Sequence, residues 1–123
     1  MVKHSILVAD DNENIRDSLT YLLEDEGYRL FIAKDGAEAL QTVRDQKPDL
    51  VFLDLMMPEM NGFEVCRAIK SDPQLKETYV IILTAMGQMA EQERGKEAGP
   101  DRFLVKPFSP VEILSLVRKH FKK

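Results

Sequence analysis

The sequence has few of the residues that disulfides, metal–sulfur sites and catalytic triads require. Its 123 residues include one cysteine, Cys66, and two histidines, His4 and His120, and tryptophan is absent. One cysteine excludes an intramolecular disulfide framework and a cysteine metal cluster. No arrangement of serine, histidine and aspartate for nucleophilic catalysis is suggested, since both histidines lie near the ends of the sequence. We predict that Cys66 is a small core residue, because nothing basic is placed to lower its pKa.

Long apolar runs and a strong charge of either sign are also absent. The N-terminal apolar run over residues 5–9 is too short for a signal peptide, and no run approaches the length that spans a membrane. Lys and Arg number 17 against 21 Asp and Glu, which gives a net charge of −4. A mildly acidic domain is a poor nucleic-acid binder by itself. We therefore expect a cytoplasmic protein with no membrane partner and no direct nucleic-acid partner.

The length and composition fit one domain that can bury its own core. The sequence is 44% hydrophobic and 31% charged, which is ordinary for a globular protein. Only two lysines follow Phe121. We expect a single domain over residues 1–123, with no output domain in this chain.

Short apolar runs alternate with amphipathic segments along the whole sequence. We predict strands over residues 5–9, 28–33, 49–53, 79–83 and 102–105, and helices that begin near Asn12, Ala37, Asn61, Gln88 and Ser109. Apolar strands that alternate with helices imply a parallel sheet covered on both faces. The predicted fold is α/β of the flavodoxin-like (βα)5 type, with a doubly wound five-stranded parallel sheet in the order 2-1-3-4-5.

Two of the predicted helices carry particular expectations. The helix over residues 88–97 has few large apolar residues and an internal glycine, which makes it the weakest of the five. The last helix is expected to start with a capping box at Ser109, followed by a proline at the first helical position. The side chains of this helix that we expect to face the core are Val111, Leu114, Val117 and Phe121.

Polar residues follow four of the five predicted strands. They are Asp10 and Asp11, then Asp54, then Thr84, then Lys106. In the proposed order these four strands are neighbours, and the carboxyl ends of parallel strands meet at one edge of the sheet. The three carboxylates, the hydroxyl and the ammonium are therefore expected to converge on one crevice. Read alone, Asp54 is better explained as a cap of the helix or turn that follows it, and only the other polar residues at the strand ends favour a functional role.

The chemistry of such a cluster favours a hard cation and a phosphoryl group. Three clustered carboxylates repel one another, and a raised pKa or a bound cation relieves the repulsion. Oxygen ligands without histidine or cysteine select Mg²⁺, Mn²⁺ or Ca²⁺. The cation and Lys106 would neutralise a phosphoryl group, Asp54 would be its nucleophile, and Thr84 would donate a hydrogen bond to a phosphoryl oxygen.

The sequence around these residues resembles the receiver domain of two-component response regulators. The matching segments are Asp10-Asp11, Asp54 with the continuation L-M-M-P-E-M-N-G, Thr84-Ala85 and Lys106-Pro107-Phe108. They occur in the order of that family and cover essentially the whole chain. The resemblance implies that the protein is not an enzyme but a phosphorylation-dependent signalling switch.

The resemblance also implies a role for each site residue. Asp54 matches the phospho-acceptor, and Lys106 matches the lysine that contacts the phosphate, with a cis bond to the following proline. Asp11 matches the direct Mg²⁺ ligand, Asp10 assists through water, and the backbone carbonyl of Met56 completes the protein ligands. Mn²⁺ is an alternative cation. The implied phosphoryl donor is a sensor histidine kinase or a phosphotransfer protein.

A switch pair, Thr84 and Phe103, follows from the same resemblance. In the family the hydroxyl moves to the phosphoryl group and the aromatic ring turns inward, which changes the surface of the fourth helix, fifth strand and fifth helix. The implied partners of that surface are an unidentified downstream effector or a second copy in a phosphorylation-dependent homodimer.

This sequence departs from the family pattern at several positions. The switch aromatic is Phe103 rather than the frequent tyrosine, and Pro100 replaces an alanine. Met56 and Met86 stand where a side chain could position an attacking water, so we expect slow or intermediate self-dephosphorylation. A phosphatase acting on an outside substrate would need a second carboxylate at Met56. A pseudo-receiver or scaffold that needs no phosphorylation is the remaining alternative.

Overall fold

Five parallel strands form a single sheet in the computed structural model, which describes residues 3–85 and 98–122. The strands are β1 (Ser5–Ala9), β2 (Arg29–Ala33), β3 (Leu50–Asp54), β4 (Tyr79–Ala85) and β5 (Arg102–Lys106). Every neighbouring pair is parallel, and the order across the sheet is β2-β1-β3-β4-β5. The predicted doubly wound α/β sheet and its strand order are confirmed.

Four helices lie within the described residues. They are α1 (Glu13–Asp25), α2 (Gly36–Gln46), α3 (Gly62–Lys70) and the C-terminal helix (Pro110–Phe121). The predicted helix over residues 88–97 lies outside the described part of the chain, as does Met86. None of the helices in the described ranges is both long and apolar enough to cross a bilayer.

Each described helix begins after a side chain that accepts a hydrogen bond from the backbone of its first turn. Such a contact satisfies an N–H group that has no partner within the helix and stabilises the helix by about 1 kcal/mol. These N-cap residues are Asn12, Asp35, Asn61 and Ser109. The capping box predicted at Ser109 is confirmed, because Glu112 closes it and Pro110 follows the cap.

The sheet buries an apolar layer on each face. One layer packs against α2 and α3, and the other packs against α1 and the C-terminal helix. The central strand β3 is buried along its whole length, as expected of a parallel strand covered on both sides. Cys66 lies in the α3 layer, fully buried, and burial raises the pKa of its thiol to about 12. The prediction that it is a core residue is confirmed.

One prediction about the C-terminal helix is wrong. Val111 was expected to face the core, but 75% of it is exposed, whereas Ile113 and Val117 are fully buried. Residues 113 and 117 are four apart and lie on the same side of the helix. Val111 is two residues before Ile113, and a rotation of about 100° per residue places it on the opposite side. Leu114 and Phe121 are partly buried at the edge of the same layer.

Candidate functional site

The predicted acidic cluster forms at the carboxyl edge of the sheet. Ala9 pairs with Leu53 across β1 and β3, so the residues that follow them on the two strands lie side by side. Asp10, Asp11 and Asp54 each place one carboxylate oxygen within 4.8 Å of the other two. Asp10 and Asp54 are buried, and Asp11 is exposed.

Asp10 is held in one orientation by contacts to both of its carboxylate oxygens. The backbone N–H of Asn12 donates to Oδ1 at 2.9 Å, and Nζ of Lys106 donates to Oδ2 at 3.1 Å. The guanidinium of Arg16 also donates to the backbone carbonyl of Asp10 at 2.8 Å. Both carboxylate oxygens of Asp10 therefore accept a hydrogen bond from the protein, which fixes the carboxylate beside Lys106.

Asp54 is buried and has one carboxylate oxygen engaged. Nζ of Lys106 donates to Oδ1 at 3.0 Å, whereas Oδ2 accepts no hydrogen bond from a described residue. Burial and the negative charge of Asp10 raise the pKa of the Asp54 carboxyl to about 6, and Lys106 limits the rise. The carboxylate that the sequence singles out as nucleophile therefore keeps one oxygen that accepts no hydrogen bond from the described residues.

Lys106 joins the two buried carboxylates. It ends β5 and lies 3.0 Å from Asp54 and 3.1 Å from Asp10, although 96 residues separate it from Asp10 in sequence. Burial lowers the pKa of its ammonium, but the hydrogen bonds and charges of Asp54 and Asp10 outweigh burial and raise that pKa. Lys106 is therefore a permanent cation at neutral pH. Its peptide bond to Pro107 is cis.

The charge of the cluster fits a hard divalent cation. Three ionised carboxylates and one ammonium leave an excess of two negative charges in a partly buried site. All of the side-chain ligands are oxygens, which suits Mg²⁺ or Mn²⁺ better than a thiophilic metal. Asp10, Asp11 and Asp54 are the side chains that would hold the ion.

The two predicted switch residues lie on neighbouring strands in different surroundings. Thr84 is fully buried in β4, one residue past Leu83, which pairs with Asp54. Phe103 lies on β5 and is partly buried against the α3 layer. Its ring meets that of Phe63 edge-on, with 6.2 Å between the ring centroids. Thr84 is therefore next to the acidic cluster, and Phe103 is on the α3 side of the sheet.

Met56 lies two residues beyond β3, in the loop that leads to α3. Its side chain is 62% exposed, whereas the flanking Leu55 and Met57 are buried. This alternation leaves the loop anchored on both sides of Met56 and turns an apolar side chain toward the solvent beside the cluster.

Sequence reasoning missed two contacts that support the cluster. Arg16 holds the backbone of Asp10 from the first turns of α1, and Gly36 contacts the loop that carries Met56. The basic residue five positions after Asp11 was a weak signal for the first contact. No local pattern indicates the second, because it joins the start of α2 to a loop more than twenty residues away.

A groove borders the cluster on its α1 side. It has a volume of about 530 Å³ and is lined mainly by apolar atoms, with Ile15 of α1 on one wall and Pro107 and Phe108 on the other. Lys106, which contacts Asp10 and Asp54, also lines the groove. A molecule that reaches Asp54 from this side would therefore cross an apolar surface first.

The comparison with known proteins agrees with this geometry. The family model described as the response regulator receiver domain matches residues 6–118. The chemotaxis response regulator CheY4 of Vibrio cholerae superimposes with a TM-score of 0.89 at 33% identity, over 96% of this chain and 98% of that one. The receiver domain of the sensor histidine kinase PA1611 from Pseudomonas aeruginosa superimposes with a TM-score of 0.87 at 25% identity, over 96% and 97% of the two chains. That domain was solved with a magnesium ion coordinated in its active site cleft.

A full-length relative corrects one prediction and shows the family. The DNA-binding response regulator MtrA of Mycolicibacterium paratuberculosis is 38% identical over 122 residues, which cover 99% of this chain and 53% of that protein. The chain thus spans about half the length of a relative that binds DNA. The expectation of no direct nucleic-acid partner is wrong, because it rested on the net charge of one domain. The chain belongs to the family of response regulator receiver domains.

Proposed function

We propose that this receiver domain is a phosphorylation-controlled switch and that Asp54 accepts the phosphoryl group. The observation that carries the proposal is the arrangement of the Asp54 carboxylate. Lys106 binds Oδ1 at 3.0 Å, while Oδ2 is left without a hydrogen bond from the described residues, and one oxygen of Asp54 lies within 4.8 Å of oxygens of Asp10 and Asp11. One oxygen is thereby oriented, and the other keeps its lone pairs for bond formation.

The bonds that form and break in the transfer step belong to the donor and to this chain. The donor is a phosphorylated histidine of a sensor kinase or of a phosphotransfer protein. An oxygen lone pair of Asp54 forms the new bond to phosphorus, the phosphorus–nitrogen bond breaks, and the histidine nitrogen keeps that electron pair. Lys106 stays charged and offers its ammonium to the phosphoryl oxygens.

A divalent cation belongs to the same proposal. Asp10, Asp11 and Asp54, with the backbone carbonyl of Met56, would hold Mg²⁺ or Mn²⁺. The ion would neutralise negative charge on the transferring group. Asp10 would act through a bound water, as the resemblance to the family implies, while Asn12 and Lys106 hold its carboxylate in place.

The finer steps of the switch are also proposals. After phosphorylation Thr84 would turn its hydroxyl to the phosphoryl group, and Phe103 would move further into the α3 layer. The surface formed by β5, the C-terminal helix and the preceding segment would then favour a downstream partner or a second copy. Thr84 supports this proposal by its position, since its neighbour in sequence pairs with Asp54.

The output is proposed from the relative. Receiver domains are signalling modules and not enzymes of the ordinary kind. Because this chain spans about half of a DNA-binding response regulator, we propose that its phosphorylation controls a DNA-binding protein in the cytoplasm.

Incubation with Mg²⁺ and acetyl phosphate tests the proposal, with intact mass spectrometry as the readout. We expect a mass gain of one phosphoryl group in the wild type and in Asp45→Ala, which removes an exposed carboxylate of α2. The Asp54→Ala variant should gain nothing. A wild type that stays unmodified with this donor and with a phosphorylated kinase would favour a scaffold over a switch.

A further inference from the structure

The loop between β3 and α3 is fixed at both of its ends. The backbone N–H of Leu55 donates to the carbonyl of Leu83 at 2.9 Å, and the N–H of Gly62 donates to the carbonyl of Leu55 at 2.9 Å. Leu55 and Met57 are buried among the residues of the α2 and α3 layer. Residues 58–60 complete the loop, and within them the N–H of Met60 donates to the carbonyl of Pro58 at 2.8 Å.

Gly36 supports residues 58–60 from the first position of α2. Its backbone N–H donates to the carbonyl of Pro58 at 3.2 Å. A Cβ at Gly36 would lie 1.9 Å from the carbonyl oxygen of Met60 and 2.6 Å from the Cβ of Met60. The obstacle is mainly backbone, which cannot rotate away as the end of a flexible side chain can. Any side chain at position 36 would therefore have to push the loop outward.

We propose that Gly36 is a positioning residue for the cation site. The proposal rests on the proposed function, because the site is the one assigned there to Mg²⁺. By lacking a side chain, Gly36 lets the start of α2 hold residues 58–60 in close contact. Met56 lies only two residues from Pro58 and two residues from Asp54. Met57, which links Met56 to Pro58, is buried in the same layer, so a shift of residues 58–60 away from α2 would pull on Met57 and through it on the carbonyl of Met56.

The expected displacement is large on the scale of metal coordination. The carbonyl of Met60 must retreat by at least about 1 Å before a Cβ at position 36 meets an allowed distance. Ligand distances for Mg²⁺ are held within about 0.1 Å of their ideal value, and this ion tolerates little distortion. Loss of a supporting contact around a metal site commonly weakens metal affinity by about 10-fold to 100-fold.

The test is the Mg²⁺ affinity of the unphosphorylated Gly36→Ala variant, measured by calorimetric titration. We expect a Kd for Mg²⁺ about tenfold above that of the wild type. With acetyl phosphate, phosphorylation should be slower at low Mg²⁺ and should return to the wild-type rate when Mg²⁺ saturates the site. This division between affinity and maximal rate would not arise from lower stability alone.

Gly27→Ala is the matched control. Gly27 has a φ of +94°, so alanine is strained there, yet nothing lies within 4 Å of an added Cβ. Gly27 precedes β2 and therefore lies near the amino ends of the strands. Gly36 follows β2 and lies near their carboxyl ends, where the acidic cluster is located. We expect Gly27→Ala to lose stability and to keep the Kd of the wild type for Mg²⁺.

A second variant keeps the proposal testable should Gly36→Ala fail to fold. Asp35→Ala removes the N-cap of α2, whose Oδ1 accepts from the N–H of Glu38 at 2.8 Å, and adds no atoms against the loop. We expect its Kd for Mg²⁺ to rise a few-fold. A folded Gly36→Ala or Asp35→Ala protein with the wild-type Kd would overturn the positioning role. Tight Mg²⁺ binding by the wild type without any phosphorylation would instead contradict the proposed function and leave the role of Gly36 standing.

Discussion

The ionised carboxylate of Asp54 should destabilise the fold when no cation is bound. Burial and the charge of Asp10 raise its pKa from 3.8 to about 6, even though Lys106 acts against them. A carboxyl group whose pKa is raised by folding holds its proton more tightly in the folded state. The stability that the protonated Asp54 carboxyl contributes is therefore fully present at low pH. The free energy of unfolding falls as the pH rises from about 4 to about 6 and this proton is lost. The shift corresponds to about 3 kcal/mol at neutral pH.

Asp54→Asn should remove most of this cost. The amide has the shape of the carboxylate, and its oxygen can still accept the hydrogen bond from Lys106. The buried NH₂ group offsets part of the gain, so we expect the free energy of unfolding at pH 8 to rise by about 2 kcal/mol. For a domain of this size that is about 8 °C in melting temperature. The gain should shrink as the pH is lowered from 6 to 4.

Urea denaturation at pH 8 and pH 4.5, with a chelator present, measures both effects. Addition of Mg²⁺ then gives an independent check, since it should stabilise the wild type by about 2.7 kcal/mol at 100 times its Kd. The variant has lost a charged ligand and should respond little, so the difference between the two proteins should nearly vanish. Asp45→Asn, at an exposed position on α2, should stay within about 0.5 kcal/mol of the wild type throughout. An Asp54→Asn protein that is no more stable than the wild type at pH 8 without Mg²⁺ would refute the reasoning.

Three further predictions concern single side chains. Lys106→Met should lower the free energy of unfolding, measured by urea denaturation, by about 2 kcal/mol, because two buried carboxylates lose their shared cation. The variant should also be phosphorylated more slowly by acetyl phosphate. An unchanged stability and rate would contradict the bridging role of Lys106. Met56→Asn should change the rate at which the phosphorylated protein loses its phosphoryl group, measured by intact mass over time, and an unchanged rate would remove Met56 from the account. Cys66 should react with a thiol reagent only as fast as the protein unfolds, because its thiol is buried and burial raises its pKa to about 12. Rapid reaction under native conditions would contradict its place in the core.

The fold could be predicted because its signals are local and repeated. Each apolar run is short enough for a strand, and within the described residues β1, β2, β3 and β5 are each followed by a helix with its own start signal, as at Ser109. Strand order and the site then follow from general rules for parallel sheets, since the carboxyl ends of the strands share one edge. Errors occur where the local pattern is ambiguous. β4 continues to Ala85 rather than ending at residue 83, and Val111 is exposed although it fits an apolar stripe.

The supports of the site could not be predicted, because they join segments that are remote in sequence. The close approach of Gly36 to Met60 depends on how α2 packs against the loop after β3, which no periodicity encodes. The contact from Arg16 to the backbone of Asp10 depends on the rotation of α1 about its axis. The nucleic-acid prediction failed for another reason, since it rested on net charge alone, and a relative that matches 99% of this chain is a DNA-binding response regulator.

Lys106 contacts both Asp10 and Asp54, and the other contacts of these residues indicate which strands should shift on phosphorylation. Asp10 has a second partner, the N–H of Asn12, and β1 is paired on both sides, so its position does not depend on Lys106 alone. A phosphoryl group on Asp54 would bring new anionic oxygens to Lys106, which is the terminal residue of the edge strand β5. Edge strands have only one neighbour to hold them. The change in charge at Asp54 should therefore be transmitted through Lys106 to β5, where Phe103 lies, and leave β1 and β2 unmoved.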